Sequence, residues 1–143
     1  MNEFSFDGRL MQKMAEKNIN TATAVQKAVI PVIHQGENCL FESETGTGKT
    51  FAYLLPLVQR LYFESGYDSK PQNERHTAVI IAAPTKELAV QIKNELSFLL
   101  GEDEKILVCF GGSSIKRHIE GLREKPFAVV GSPNRLSDLI RLK

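Results

Sequence analysis

Apolar positions along the chain fall into two patterns: short continuous runs, and longer stretches in which they recur at helical spacing. The short runs predict four strands, at residues 38–42, 77–83, 105–110 and 127–130. Helical spacing predicts helices at residues 7–17, 24–35, 51–61, 85–100, 115–122 and 133–142. The second strand is apolar throughout, which is typical of a strand covered on both faces. Strands that alternate with helices predict an α/β domain with a mostly parallel sheet.

Residues that favour helix ends support several of these helices. Thr23 can cap the second helix and Gly101 can end the fourth, whereas Pro31 predicts that the second helix bends or restarts. The polar stretch at residues 64–76, which contains Gly66 and Pro71, predicts a surface loop. One α/β pattern continues on both sides of this loop, so we expect no domain linker there.

Composition narrows the class of protein. The length of 143 residues suits one domain. The net charge of +1 excludes a strongly basic protein, so any nucleic-acid site would be a local groove. Cys39 and Cys109 both lie in apolar runs and are expected to be buried thiols in a reducing compartment, the cytoplasm. No apolar stretch has membrane-spanning length, and we expect no membrane partner.

Residues 43–50 have the features of a phosphate-binding loop between a strand and a helix. Gly46 and Gly48 allow a phosphate to approach the backbone, and the N-terminus of the following helix adds positive potential. Lys49 can reach the outer phosphates, and the Thr50 hydroxyl can bind a magnesium ion. Ser43 departs from the general pattern, which has glycine there, so a chance Gly-Lys-Thr in a polar turn is the alternative.

Ligands of parallel α/β sheets bind outside the carboxyl ends of the strands. Four segments follow predicted strands in this way. They are residues 43–50, 83–88, 110–113 and 131–136.

Several of these segments resemble motifs of the DEAD-box RNA helicases. Residues 43–50 resemble the family's phosphate loop, which accepts a small first residue. Residues 84–91 resemble its Pro-Thr-Arg-Glu-Leu-Ala-x-Gln motif, with Lys86 in place of arginine. The pair of glycines at 111–112 matches the family's paired glycines.

Two further motifs extend this resemblance over nearly the whole chain. Residues 132–138 resemble Thr-Pro-Gly-Arg-Leu-x-Asp, with serine and asparagine as substitutions. Thr23 and Gln26, followed by Ile-Pro at 30–31, match the upstream glutamine motif that binds adenine. The five motifs occur in the family's order and spacing, which makes the combination specific.

The resemblance implies a RecA-like fold, with residues 1–143 as a partial helicase ATP-binding domain and a glutamine-motif region at 4–35. It implies ATP and Mg²⁺ as cofactors, with Lys49 and Thr50 as catalytic residues and Thr50 as the metal ligand. The implied nucleotide-binding residues are Thr23, Gln26, Ser43, Glu44, Thr45, Gly46, Thr47, Gly48, Lys49 and Thr50.

Two of these assignments have alternatives. Gln26 would bind the adenine edge, or would be an exposed helix residue. Phe4 or Phe6 would stack on adenine, or would belong to the core.

The resemblance also implies a groove along single-stranded RNA, in a protein that acts on single-stranded or duplex RNA. The groove would be lined by Pro84, Thr85, Lys86, Gly112, Ser132, Pro133 and Arg135. Alternatively, Thr85 is only a helix cap, the glycine pair is only a turn, and Lys86 forms an ion pair with Glu87. Residues 116–118, Lys-Arg-His, either extend the basic edge or form a solvated helix face.

The family's Asp-Glu-Ala-Asp motif does not occur before the chain stops at Lys143. We therefore expect an N-terminal fragment of an ATP-dependent RNA helicase that does not hydrolyse ATP by itself. In the family's fold, absent strands would separate residues 38–42 from residues 77–83, so exposed strand edges could cause self-association. The alternatives are part of another phosphate-loop ATPase, acting on DNA or protein, and a short non-catalytic RNA-binding module.

Overall fold

The structure is a computed structural model that describes residue 1 and residues 3–142. The chain divides into two compact units, Met1–Ser69 and Lys70–Lys143. This division falls inside residues 64–76, where the sequence pattern predicted no boundary. None of the helices in the described residues combines the length and apolar character needed to cross a membrane.

The first unit is helical. Helix α1 spans Gly8–Glu16, helix α2 spans Ala24–His34 and helix α3 spans Lys49–Val58, and α2 packs against α3. The Asp7 side chain caps α1, and Thr23 caps α2 as predicted. Pro31 lies inside α2 without ending it, so the predicted restart at this residue is wrong.

A π-helical turn, Gln59–Glu64, extends α3. Gln59 is buried there, and its side chain connects this turn to the residue before α1: Oε1 accepts from the backbone N–H of Asp7 at 2.7 Å, while Nε2 donates within the turn to Glu64 at 2.9 Å. A 3₁₀ turn follows at Tyr67–Ser69. Tyr67 is buried and its ring lies 5.7 Å from that of Tyr62, so the polar stretch is not entirely a surface loop.

Residues 38–42 do not form the predicted first strand. A strand requires a backbone partner, and the described part of the first unit contains no other strand. As a result Leu40 is fully exposed, and Cys39 is exposed rather than buried as the sequence predicted.

The second unit is an α/β layer. After a 3₁₀ turn at Gln72–Glu74, its elements are β1 Val79–Ala82, α4 Lys86–Leu100, β2 Ile106–Cys109, α5 Ile115–Arg123, β3 Ala128–Gly131 and α6 Pro133–Arg141. The strands form a parallel sheet of order β1-β3-β2, in which Ala128 pairs with Val79 on one side and Ile106 on the other. The predicted α/β class with a parallel sheet is confirmed.

The central strand β3 is buried along its whole length, whereas β1 lies at an edge. Helix α4 packs on β2 and β3, and α5 packs on β2. Ile80 of β1 is therefore 62% exposed, and the prediction that this strand is covered on both faces is wrong.

An apolar cluster holds the carboxyl ends of β2 and β3 together with α6. Its buried members are Cys109, Val129, Leu136 and Leu139. Gly131 ends β3 within this packing, where an added Cβ would lie 2.6 Å from the carbonyl oxygen of Cys109. Glycine at this position therefore allows the two strand ends to approach closely.

Candidate functional site

Gln26 links the start of α2 to the loop at residues 43–50 within the first unit. Its Oε1 accepts from the Thr23 backbone N–H at 3.0 Å, and the Thr23 hydroxyl accepts from the Gln26 N–H at 3.4 Å. Its Nε2 donates to the Gly48 carbonyl at 3.2 Å. The side chain is 1% exposed, so the alternative of an exposed helix glutamine is wrong.

Gly46 and Gly48 give the loop at residues 43–50 its shape. Both have positive φ, +80° and +89°, in the left-handed region that favours glycine. A Cβ added to Gly48 would lie 2.5 Å from Gln26 Nε2, whereas one added to Gly46 would meet nothing within 4 Å. Gly48 is therefore required both for its backbone angle and for the approach of Gln26.

Lys49 directs its charge into the same loop. Its Nζ donates to the carbonyls of Ser43 and Glu44. The Ser43 and Thr47 hydroxyls lie 2.6 Å apart, and Thr47 also donates to the Glu44 carbonyl at 2.9 Å. The loop is thus closed on its own carbonyls, and a phosphate that binds Lys49 must replace these contacts.

The N-terminus of α3 suits an anion. Gly48 is its N-cap and provides no side-chain hydrogen bond, which leaves the first backbone N–H groups for a ligand. Lys49 and Thr50 are the first two residues of the helix and are half-buried, whereas Glu44 and Thr45 are exposed. The predicted nucleotide residues therefore lie together at one end of α2 and α3.

The described residues offer few candidate ligands for magnesium. The described residues contain no group of three or more His, Cys, Asp or Glu side chains that could hold a metal ion. Mg²⁺ bound with a nucleotide typically uses few protein ligands besides phosphate oxygens and water, and the Thr50 hydroxyl at the loop fits that arrangement.

Phe4 and Phe6 lie along the second half of α2. Their ring centroids are 5.5 Å apart, and the two side chains line a groove of about 350 Å³ with Ile30, Pro31 and His34. Gln26 is one to two helical turns earlier in α2, about 6–12 Å along the axis. The described residues that line this groove do not include Gln26 or the loop at 43–50.

Three predicted RNA-contact segments follow the three parallel strands of the second unit, so they lie at one edge of the sheet. Thr85 follows β1, the glycine pair at 111–112 follows β2, and Ser132 follows β3. Because β3 is central, Ser132 and Arg135 lie between the other two segments.

Arg135 connects two of these segments. The Ser132 hydroxyl caps α6 by accepting from the Arg135 backbone N–H at 3.4 Å, and Pro133 occupies the first turn. The Arg135 guanidinium reaches the loop after β2, where Nη2 donates to the Ser113 carbonyl at 3.3 Å. Gly112 has φ +86° in that loop and is exposed.

Thr85 caps α4 by accepting from the Leu88 N–H at 3.2 Å, so its structural role is confirmed. Pro84 and Lys86 beside it are exposed. The ion pairs among the described residues do not include the alternative pair of Lys86 with Glu87.

The basic run at 116–118 divides between two environments. Lys116 and Arg117 are exposed on α5, as expected of a solvated face, but His118 is 4% exposed and its Nδ1 has no hydrogen-bond partner. Burial lowers the pKa of His118, and the charges of Arg135 and Arg117 lower it further. Burial also raises the pKa of the nearby Cys109 thiol to about 11, against the opposing effect of Arg135.

The sequence analysis placed His118 on a basic edge or a solvated face, which is wrong because the residue is buried, and it missed Gly131. The spacing of Ile115, His118, Ile119 and Leu122 is helical and would have placed the histidine on the inner face. No local pattern indicates the contact between Gly131 and Cys109, because it joins two strands far apart in the chain.

Comparisons with known proteins identify the same family as the sequence motifs. The family model described as DEAD/DEAH box helicase matches residues 23–143. The chain is 40% identical, over 94% of its length, to the DEAD-box ATP-dependent RNA helicase CshC of Bacillus cereus. It is 35% identical, over 96% of its length, to the ATP-dependent RNA helicase CshA of Listeria monocytogenes. It spans 32% and 25% of these two relatives' lengths, respectively.

A solved structure gives the same result for the fold. The crystal structure of a DEAD box protein from the hyperthermophile Methanococcus jannaschii matches 99% of this chain with a TM-score of 0.83 and 30% identity. This chain covers 37% of that one. The fold is therefore the RecA-like α/β fold of such proteins, and the chain belongs to the DEAD/DEAH box helicase family.

Proposed function

We propose that this chain is the ATP-binding and RNA-binding part of an ATP-dependent RNA helicase. The observation that carries the proposal is the hydrogen bond from Gln26 to Gly48, which joins the adenine-binding motif to the phosphate loop. The relatives that the chain matches are named as ATP-dependent RNA helicases, which supports the same activity.

In this proposal the nucleotide binds at the N-terminal ends of α2 and α3. Lys49 leaves the carbonyls of Ser43 and Glu44 and contacts the outer phosphates, while Gly46 and Gly48 admit the phosphates to the backbone. Thr50 supplies a hydroxyl ligand to the Mg²⁺ that accompanies ATP. Gln26 has one amide hydrogen beyond the one it donates to Gly48, and in this proposal the site opens enough for the adenine edge to reach this donor on a side chain that is 1% exposed without a ligand.

RNA binds along the carboxyl edge of the sheet in the second unit. Arg135 is the charged group at the centre of that edge, with the α4 N-terminus at Thr85 on one side and the backbone of Gly112 on the other. These groups are suited to phosphate oxygens rather than base edges, so the proposed binding tolerates different sequences.

Calorimetry with ATP and GTP tests the nucleotide assignment in the full-length protein. The wild-type protein should bind ATP more tightly than GTP, and Gln26→Ala should reduce that preference because the adenine edge loses its amide partner. Gln35→Ala, at the exposed end of α2, is the matched control and should leave the preference unchanged. Equal affinities of the wild type for ATP and GTP would exclude the adenine role of Gln26.

The 143-residue chain on its own is proposed to self-associate and not to hydrolyse ATP. Leu40 is fully exposed and Ile80 lies on an edge strand, both of which favour contacts between copies. Sedimentation should show association that increases with concentration and is weakened by Ile80→Lys. A monomer at all concentrations would reject self-association, and ATP turnover by the 143-residue chain would reject the expected inactivity.

A further inference from the structure

His118 is a buried titratable side chain that neither proposed ligand contact uses. It is the fourth residue of α5, on the face that turns Ile115, Ile119 and Leu122 toward the apolar cluster of the second unit. Its Nδ1 is inaccessible and has no hydrogen-bond partner. Buried polar atoms are rarely left in this state, so the orphan nitrogen calls for a physical reason.

Its position connects it to the RNA-contact edge. Helical side chains lean toward the N-terminus of their helix, so the imidazole covers the first turn of α5. Ser114, the N-cap of α5, makes no side-chain cap hydrogen bond. One residue earlier, the Ser113 carbonyl accepts the hydrogen bond from Arg135. His118 is therefore within the first turn and a half of an uncapped helix, and the charge of the proposed phosphate ligand Arg135 acts on it.

The charges around His118 favour its neutral form. Arg135 comes from α6 and Arg117 from α5, and both oppose protonation. The buried Cys109 on β2 is a neutral thiol, and the loop at 111–114 has no titratable side chain. The carboxylates on these helices, Glu120 and Asp138, are exposed. The positive end of α5 opposes a cation at its first turn as well.

A phosphate that contacts Arg135 would reverse this balance. Its negative charge offsets the guanidinium and the positive end of α5, the two nearby fields that oppose the imidazolium. The proton comes from solvent, and the same coupling works in both directions: protonated His118 must strengthen phosphate binding as much as phosphate favours protonation.

We propose that His118 is a positioning residue that takes up a proton when an RNA phosphate binds at Arg135 and the first turn of α5. This inference rests on the proposed RNA function of the same edge. It adds a pH dependence to RNA binding. Affinity should rise as the pH falls through the interval between the pKa of His118 in the RNA-bound protein and its lower pKa in the free protein. Each unit by which the phosphate raises the pKa of His118 gives at most about a tenfold gain in affinity.

The test measures binding of a fluorescent oligo-uridine to the full-length protein by anisotropy, between pH 6 and 8 at constant ionic strength. Wild-type affinity should rise several-fold toward pH 6, and His118→Gln should bind with a flatter profile. His76→Gln, at an exposed position, is the matched control and should keep the wild-type slope. Calorimetry in two buffers of different ionisation enthalpy should show net proton uptake by the wild type and less by His118→Gln.

The outcomes separate the two proposals. Absence of oligo-uridine binding at every pH would overturn the proposed RNA function. Binding with the same pH slope and proton uptake in the wild type and His118→Gln would overturn the role of His118 alone. If His118→Gln does not fold, Arg135→Ala provides the second measurement: proton uptake by this variant equal to that of the wild type would also overturn it.

Discussion

The Nε2 of Gln26 lies 3.2 Å from the carbonyl oxygen of Gly48 and donates a hydrogen bond to it. One side chain thereby fixes the end of the loop at residues 43–50 against the first turn of α2. A nucleotide whose base contacts Gln26 and whose phosphates contact the loop would touch both partners of this hydrogen bond. Mutations that disturb it should weaken nucleotide binding before they unfold the protein.

Gly48→Ala should weaken ATP binding more than Gly46→Ala does. Both positions have positive φ, so both substitutions introduce backbone strain of about 1–2 kcal/mol. Gly48→Ala additionally places a Cβ 2.5 Å from Gln26 Nε2, whereas Gly46→Ala meets nothing within 4 Å. Calorimetric ATP affinities of the two variants check the prediction, and equal losses would show that the Gln26 contact is unimportant.

Gly131→Ala should lower the free energy of unfolding by about 1–3 kcal/mol, the usual range for overpacking. Its Cβ would lie 2.6 Å from the Cys109 carbonyl oxygen, which is backbone and cannot move independently of β2. Gly111→Ala is the matched control, because its Cβ would meet nothing within 4 Å and its φ is not positive. Denaturant unfolding measures both, and similar stabilities would contradict the close approach of β2 and β3.

The two cysteines should differ strongly in reactivity. Cys39 is exposed, whereas Cys109 is buried with its pKa raised to about 11, so little of Cys109 is thiolate at pH 8. Labelling with a maleimide followed by peptide mass spectrometry should modify Cys39 rapidly and Cys109 only on unfolding. Slow labelling of Cys39 in the 143-residue chain would mean that residues 38–42 are covered after all.

RNA binding should depend on salt through phosphate contacts. If about four phosphates are neutralised, the log–log slope should be roughly −3, at about −0.7 per phosphate on single strands. Arg135→Ala should reduce the size of this slope by something under one unit, while Arg141→Ala, exposed at the end of α6, should change it less. A strong preference for one short sequence would contradict a phosphate-based interface.

Local signals predicted the helices well. Thr23 and Thr85 cap α2 and α4 as expected, because a hydroxyl at an N-cap needs only backbone groups three residues away. Gly101 ends α4 for a similarly local reason. The candidate site residues of the second unit also came together, because their segments follow parallel strands, whereas those of the first unit meet at the starts of α2 and α3.

The failures have non-local causes. Residues 38–42 have the composition of a strand, but pairing depends on a partner strand elsewhere, and the described part of the first unit has none. His118 follows two exposed basic residues in the sequence, so it was assigned to the same exposed face, although it lies on the apolar face of α5. Gly131 is required by a contact with β2 that no neighbouring residue indicates.

RNA-stimulated ATP hydrolysis by the full-length protein is the decisive measurement of the proposed helicase function. Wild-type protein should hydrolyse ATP faster when oligo-uridine is added, with much less activity toward GTP. Lys49→Ala should lose about 1.5–3 kcal/mol of phosphate contact and most of the activity. Lys27→Ala, exposed on α2, should retain it. ATP hydrolysis unaffected by RNA, or unaffected by Lys49→Ala, would rule out the proposed function.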